Sequence, residues 1–174
     1  MPIKPIAALF AAAFALAPIG LLAQDQAQQG GSTLKATHGS WEVRCDAKNA
    51  EACIITQIGN RADGQPVLRI AFRKTDGAKG PKGEPIAAVM QIDAPLGVLL
   101  PAGVEVKIDG AEVGRALFQI CDPRACIASE PVADNFVDQM KKGSNAQFAI
   151  MAVNGEKAEV TISLSGFTKG FNSL

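Results

Sequence analysis

The side chains best suited to chemistry are four cysteines in two close pairs, Cys45 with Cys53 and Cys121 with Cys126. Thiol–disulfide oxidoreductases usually carry C-x-x-C with a lowered thiol pKa, whereas these pairs enclose seven and four residues. Zinc sites favour intervals of about two to four residues, which the first pair exceeds. The spacing therefore favours structural disulfides over redox chemistry or a metal site.

Four cysteines allow three pairings, and the sequence leaves a long-range bridge such as Cys45–Cys121 open. Local pairing is favoured because Cys45 ends one predicted strand and Cys53 begins the next. Asp122-Pro123 also predicts a tight turn between the second pair. An antibody-like bridge fits less well, since Trp41 precedes the first cysteine instead of lying on the following strand.

Other candidate catalytic residues are few. His38 is the single histidine and lies near Ser40, but in a polar stretch that predicts an exposed position. Asp134 and Asp138 are four residues apart in a predicted helix and would share its solvated face. Neither a nucleophile elbow nor a phosphate-binding loop occurs. We expect no catalytic residue, cofactor site or metal site; the alternative is an envelope hydrolase whose carboxylates converge from distant strands.

The N-terminus has the pattern of a signal peptide over residues 1–23. Lys4 precedes about a dozen apolar residues, and cleavage is predicted near Ala23. The apolar stretch is shorter than the ~20 residues that span a bilayer, so no stable membrane insertion is expected after cleavage. These features predict a periplasmic or secreted protein, where cysteines oxidise. Residues 24–39 are predicted to be a flexible linker and residues 40–174 a single domain.

Charge and composition argue against nucleic acid as a partner. The 17 basic and 17 acidic residues give a formal net charge of zero, whereas phosphate binding needs a basic excess. The chain has one Trp and no Tyr, so side chains for base stacking are scarce.

The elements that must position these residues are mainly strands. Apolar and polar residues alternate around Trp41–Cys45, Leu68–Phe72 and Val104–Ile108, and segments 86–93 and 116–121 are apolar on both faces, as in central strands. Turn signals at Asp109-Gly110 and Asn154-Gly155 predict hairpins, the latter through a type I′ turn. One helix is predicted at about 131–142, between Pro131 and Gly143. The pattern indicates a mainly β protein, an antiparallel β-sandwich with one short helix.

Two surfaces are candidate partner contacts. The Pro95–Pro101 segment cannot lie in a central strand and is predicted to present apolar residues or to cap the core. A Gly- and Lys-rich loop at 74–84 could contact an anionic polymer or lipid head group, or could be a solvated hairpin tip. The residues named for these two surfaces are Val98, Leu99 and Leu100, and Arg73, Lys74, Lys79 and Lys82.

Several stretches together resemble the invasion-associated locus B family of α-proteobacterial envelope proteins. They are Trp41–Cys45, Cys53–Gln57, Ala94–Val104, Val106–Gly110, Phe118–Cys121 and Val160–Phe167, in family order and across nearly the whole domain. The family usually has Gly before the last cysteine, where this chain has Ala125. The resemblance implies an immunoglobulin-like sandwich with disulfides and no enzyme activity.

The residues and the resemblance together predict a secreted or periplasmic, non-enzymatic protein. Such a protein would act by binding another envelope or extracellular component, a protein or a polymer.

Overall fold

A computed structural model describes residues 31–61 and 64–174. Within these residues the chain forms eleven strands and two α-helices. The strands are β1 (Ser32–His38), β2 (Trp41–Asp46), β3 (Cys53–Asn60), β4 (Pro66–Lys74), β5 (Ala88–Ala94), β6 (Val104–Ile108), β7 (Ala111–Ala116), β8 (Phe118–Cys121), β9 (Cys126–Val132), β10 (Asn145–Met151) and β11 (Lys157–Ser163). The helices are α1 (Asp134–Lys142) and α2 (Phe167–Asn172).

The strands make two antiparallel sheets that pack face to face, which confirms the predicted β-sandwich. Seven strands pair in the order β1-β2-β3-β4-β5-β9-β8, and four in the order β11-β10-β6-β7. The alternating residues of both sheets meet in one core, in which Ile92, Val106 and Phe148 are almost fully buried. The chain crosses between the sheets three times in the described residues, through segment 95–103, through Leu117 and through the α1 region.

Buried aromatic side chains join the first strands of the domain to its last helix. The Phe167 ring lies 5.1 Å from the Trp41 ring and 5.2 Å from the Phe72 ring, in edge-on geometry. The indole N–H of Trp41 and the side-chain amide of Gln57 both donate to the Ser163 carbonyl oxygen, each at 3.0 Å. These contacts give the short helix α2 its place on β1–β3.

The two disulfides are the local ones, Cys45–Cys53 and Cys121–Cys126, as predicted. Cys45 and Cys53 face each other across β2 and β3, and the second pair closes the β8–β9 hairpin. The Asp122 carboxylate accepts the backbone N–H groups of Arg124 and Ala125, which forms the tight turn inside the second ring.

Several boundaries differ from prediction. Residues 32–38, placed in the linker, form the edge strand β1, since backbone pairing with β2 holds a polar segment that has no apolar face. The predicted signal peptide and residues 24–30 lie outside the described residues. Helix α1 begins at Asp134 rather than 131, because residues 131 and 132 continue β9 beside β5.

The second helix, α2, was not predicted. Segment 116–121 is also not a central strand, because β8 lies at the sheet edge and Ile120 is 60% exposed. At Asn154-Gly155 only the glycine has positive φ, and Ala152 and Glu156 pair around a three-residue loop, so the predicted type I′ turn is wrong there. Asp109 and Gly110 both have positive φ, as that turn requires.

Candidate functional site

The Pro95–Pro101 segment connects the two sheets and is fixed to the β10–β11 hairpin. The Leu99 N–H donates to the Met151 carbonyl at 2.7 Å, and the Val153 N–H donates to the Gly97 carbonyl at 2.9 Å. Val98, between these bonds, is 6% exposed and belongs to the core. The prediction of Val98 as a partner contact is therefore wrong. Its side chain packs into the core, in agreement with the alternative that this segment caps the sandwich.

Large apolar side chains on this segment and on two adjoining ones remain in solvent. Leu96, Leu99 and Leu100 are 53%, 43% and 44% exposed on the sheet-crossing segment, and Val153 is 71% exposed on the adjoining turn. Leu117, on the second sheet crossing, is 55% exposed. We call these five residues the apolar tip. Sequence reasoning found Leu99 and Leu100; Leu96 lies on the same segment, whereas Leu117 and Val153 come from two other segments that meet it only in the fold.

Gly103 allows the parts of the apolar tip to approach one another. Its φ is 63°, and a Cβ there would lie 2.6 Å from the Ala116 carbonyl oxygen and 3.3 Å from a Leu117 methyl carbon. Only glycine permits this approach and this backbone conformation together. The segment that carries Leu99 and Leu100 consequently lies directly against the crossing that carries Leu117.

The rim of the apolar tip carries ion pairs. The Glu105 carboxylate lies 2.8 Å from the Lys157 ammonium and 3.2 Å from the Arg115 guanidinium. The hydrogen bond from Lys157, with its charge, lowers the pKa of Glu105, and the same bond raises the pKa of Lys157. Lys157 is exposed and Glu105 is partly exposed, so the contribution of this pair to stability is small.

The predicted basic residues lie at the other end of β5. Lys74 pairs with Ala88 at the start of β5, whereas the apolar tip follows Ala94 at its end. Arg73, Lys79 and Lys82 are exposed near Lys74, and within the described residues no ion pair involves these four cations. The structure thus separates the two predicted partner surfaces.

A groove of about 410 Å³ lies beside this basic loop, against α1 and α2. The ammonium groups of Lys74 and Lys141 lie 5.4 and 5.2 Å from the centre of the Phe171 ring. Asp134 and Asp138 line the same groove, so its charge is mixed. These two aspartates were predicted to share a helix face, and they do border one cavity.

The outer face of the seven-stranded sheet forms an open trough of about 1070 Å³. Its carboxylates are already hydrogen-bonded by neighbouring groups. Asp93 accepts from Arg69 and from the Gln91 amide, and Glu42 accepts from Arg44 at 2.7 Å. Asp46 and Asp122, also in the trough wall, accept backbone N–H groups of their own turns.

The remaining candidate acid–base groups do not line the trough. Burial raises the pKa of Glu130, and this carboxyl does not line the trough. His38 ends β1, and within the described residues no hydrogen bond joins its side chain to that of Ser40. Among the described residues no three His, Cys, Asp or Glu side chains are grouped as metal ligands.

Comparison with known proteins identifies the relatives of this chain. A family model described as invasion associated locus B (IalB) protein matches residues 41–174. The chain belongs to the invasion associated locus B family. An invasion protein B homolog of Brucella abortus strain 2308 is 30% identical over 141 residues, which is 79% of this chain and 77% of the relative, and the homolog of B. abortus biovar 1 strain 9-941 gives the same values.

The fold of the invasion associated locus B family is also seen in a crystal structure. Invasion associated protein B from Bartonella henselae superimposes with a TM-score of 0.63 over 81% of this chain and 95% of that chain, at 17% identity. At that identity the similarity concerns the fold. Within residues 31–61 and 64–174, no helix has the length and apolar character needed to cross a membrane.

Proposed function

We propose that this invasion associated locus B protein is an exported, non-enzymatic binding protein that contacts another component of the cell envelope or its surroundings through the apolar tip. The observation that carries the proposal is a set of five exposed aliphatic side chains on chain segments that contact one another at one end of the sandwich. Single exposed apolar residues are ordinary, whereas several on adjoining segments are typical of an interaction site.

Two further observations support binding over catalysis. The carboxylates that line the trough accept hydrogen bonds from neighbouring side chains and from backbone groups of their own turns, as expected of structural ion pairs and turns. The names of the family and of the Brucella relatives carry no enzyme activity. The hydrolase alternative has no comparable support. Export is supported by the N-terminal pattern and the two disulfides.

Contact-dependent crosslinking tests the proposal. A photoreactive residue is placed at Leu99 on the apolar tip, and at Lys79 on the basic loop as a matched exposed control. After irradiation of intact cells, we expect a discrete adduct from position 99 and none from position 79. An adduct from position 79 alone would indicate that the basic loop, and not the apolar tip, binds the partner. This loop remains a predicted contact for an anionic polymer. Absence of adducts from both positions would contradict the proposal.

A further inference from the structure

We propose that the component contacted by the apolar tip is a lipid bilayer, into whose surface the five side chains insert reversibly. This inference rests on the proposed function and specifies its partner. The tip lies at an end of the sandwich, where the chain passes between the sheets, and not on a sheet face. An end of this kind can insert into a lipid surface, because a bilayer deforms around it and needs no complementary groove.

The composition of the tip fits a hydrocarbon environment. No ionisable residue occurs in segments 94–104, 116–118 or 151–155, which carry the five tip residues, whereas Asp122, Arg124, Glu156 and Lys157 lie in the adjoining turns and strand. Charged groups are the most costly to move out of water, and the tip segments themselves contain none. The tip therefore contains the residue types that a bilayer surface accepts.

Several backbone N–H groups of the tip are hydrogen-bonded within the protein and do not depend on water. The N–H groups of Leu99, Val153, Ala102 and Gly103 donate to carbonyl groups within this end of the fold. The residues at positions 95 and 101 are prolines, which have no N–H to satisfy. In a bilayer each unpaired backbone group is costly, so this pairing lowers the cost of insertion.

A protein partner fits the tip less well. Residues that dominate protein interfaces are mostly Trp, Tyr and Arg, whereas Leu and Val are under-represented among them. The apolar tip consists of four leucines and one valine. Its aliphatic composition favours contact with acyl chains.

The rim charges predict which lipids bind. Arg115, Lys157 and Arg124 are balanced by Glu105, Glu156 and Asp122, and the pairs Arg115–Glu105, Lys157–Glu105 and Arg124–Asp122 lie within 4 Å. A balanced rim gives no net attraction to anionic head groups. Binding should therefore occur on neutral phosphatidylcholine vesicles and should change little with salt.

Vesicle flotation tests the inference with a matched pair of variants. Leu96 in the tip and Leu34 on β1 are both 53% exposed, and Leu34 lies at the sheet edge, four strands from β5. The exported chain is used with both disulfides formed, after N-terminal sequencing has established that the leader is absent, since the leader would bind lipid itself. Circular dichroism checks that each variant is folded.

We expect the wild type to float with phosphatidylcholine vesicles in 0.1 M and 0.5 M NaCl. Leu96→Ser combined with Leu99→Ser should reduce the bound fraction at least tenfold, and Leu34→Ser should leave it unchanged. No flotation of the wild type, or an equal loss in both variants, would overturn the inference. So would flotation that requires anionic lipid and is lost in Lys79→Glu, because the basic loop would then carry the binding.

Two outcomes separate this inference from the proposed function. A protein adduct at position 99 in cells, together with no binding to vesicles, would overturn the lipid partner and leave the binding function standing. A dimer of the wild type in sedimentation, dissociated by Leu96→Ser with Leu99→Ser and without vesicle binding, would identify a second copy as the occupant. A lipid adduct at position 99 supports both proposals.

Discussion

Replacing Gly166 by alanine should be among the most destabilising single-methyl additions in the described part of this protein. Gly166 precedes α2 with φ of 93°, and a Cβ at this position would lie 1.9 Å from the His38 carbonyl oxygen. The facing turn contains Gly39, whose added Cβ would lie 2.3 Å from the Ser165 carbonyl oxygen. Two backbone segments therefore touch where a side chain has no room.

The magnitude follows from two terms that a control variant separates. An alanine at positive φ costs about 1–2 kcal/mol, and this term applies equally to Gly155, whose φ is 86° and whose added Cβ would meet nothing within 4 Å. Forcing extra volume into a packed site adds about 1–3 kcal/mol. We therefore expect Gly155→Ala to lose about 1–2 kcal/mol and Gly166→Ala about 2–5 kcal/mol.

Urea unfolding monitored by Trp41 fluorescence measures both variants. Trp41 is the single tryptophan and is fully buried beside Phe167, so its emission reports on this corner of the core. The dependence of the unfolding free energy on urea should stay unchanged if only stability is altered. Equal losses in Gly166→Ala and Gly155→Ala would show that the close backbone approach is not a determinant of stability.

The remaining predictions concern single features. Mild reductant applied to the folded protein should open Cys121–Cys126 before Cys45–Cys53, because Cys121 alone is exposed, and alkylation with peptide mapping detects the order. Val98→Asp should destabilise the domain by about 3 kcal/mol or more, whereas Leu99→Asp should stay within about 0.5 kcal/mol in urea unfolding. The pKa of Asp109 is lowered because its carboxylate accepts the backbone N–H groups of Ser144 and Asn145. The ionised carboxylate therefore stabilises the folded state above about pH 4, and this stabilisation is lost as the pH falls through the folded-state pKa. Calorimetry from pH 7 to pH 3 should show the difference in Tm between wild type and Asp109→Asn shrinking towards low pH; a constant difference would contradict this role.

The sequence was sufficient where one strand carries its own pattern. The alternation of Trp41, Val43 and Cys45 predicted a strand with one buried face, and all three side chains are buried. Asp109-Gly110 predicted a hairpin because its two residues favour positive φ. Information of this kind is contained in a few neighbouring residues.

The sequence was insufficient where structure depends on distant partners. Strand β1 has no apolar alternation, because it lies at a sheet edge and is held by backbone pairing. Helix α2 has only six residues, with a glycine inside, and forms because Phe167 and Phe171 pack into the core. The apolar tip was found in part, since Leu117 and Val153 are ordinary loop residues until the fold places them beside Leu99 and Leu100.

The double hydrogen bond to the Ser163 carbonyl has a consequence for the order in which the protein can be assembled. Trp41 is 122 residues from its acceptor, and its nearest aromatic neighbour, Phe167, is farther still. The first strands to be synthesised therefore lack their core partner until the last part of the chain is available, and contacts of such long range form slowly. A chain still emerging from the ribosome cannot close this core, so the domain becomes compact only after its final helix has been synthesised.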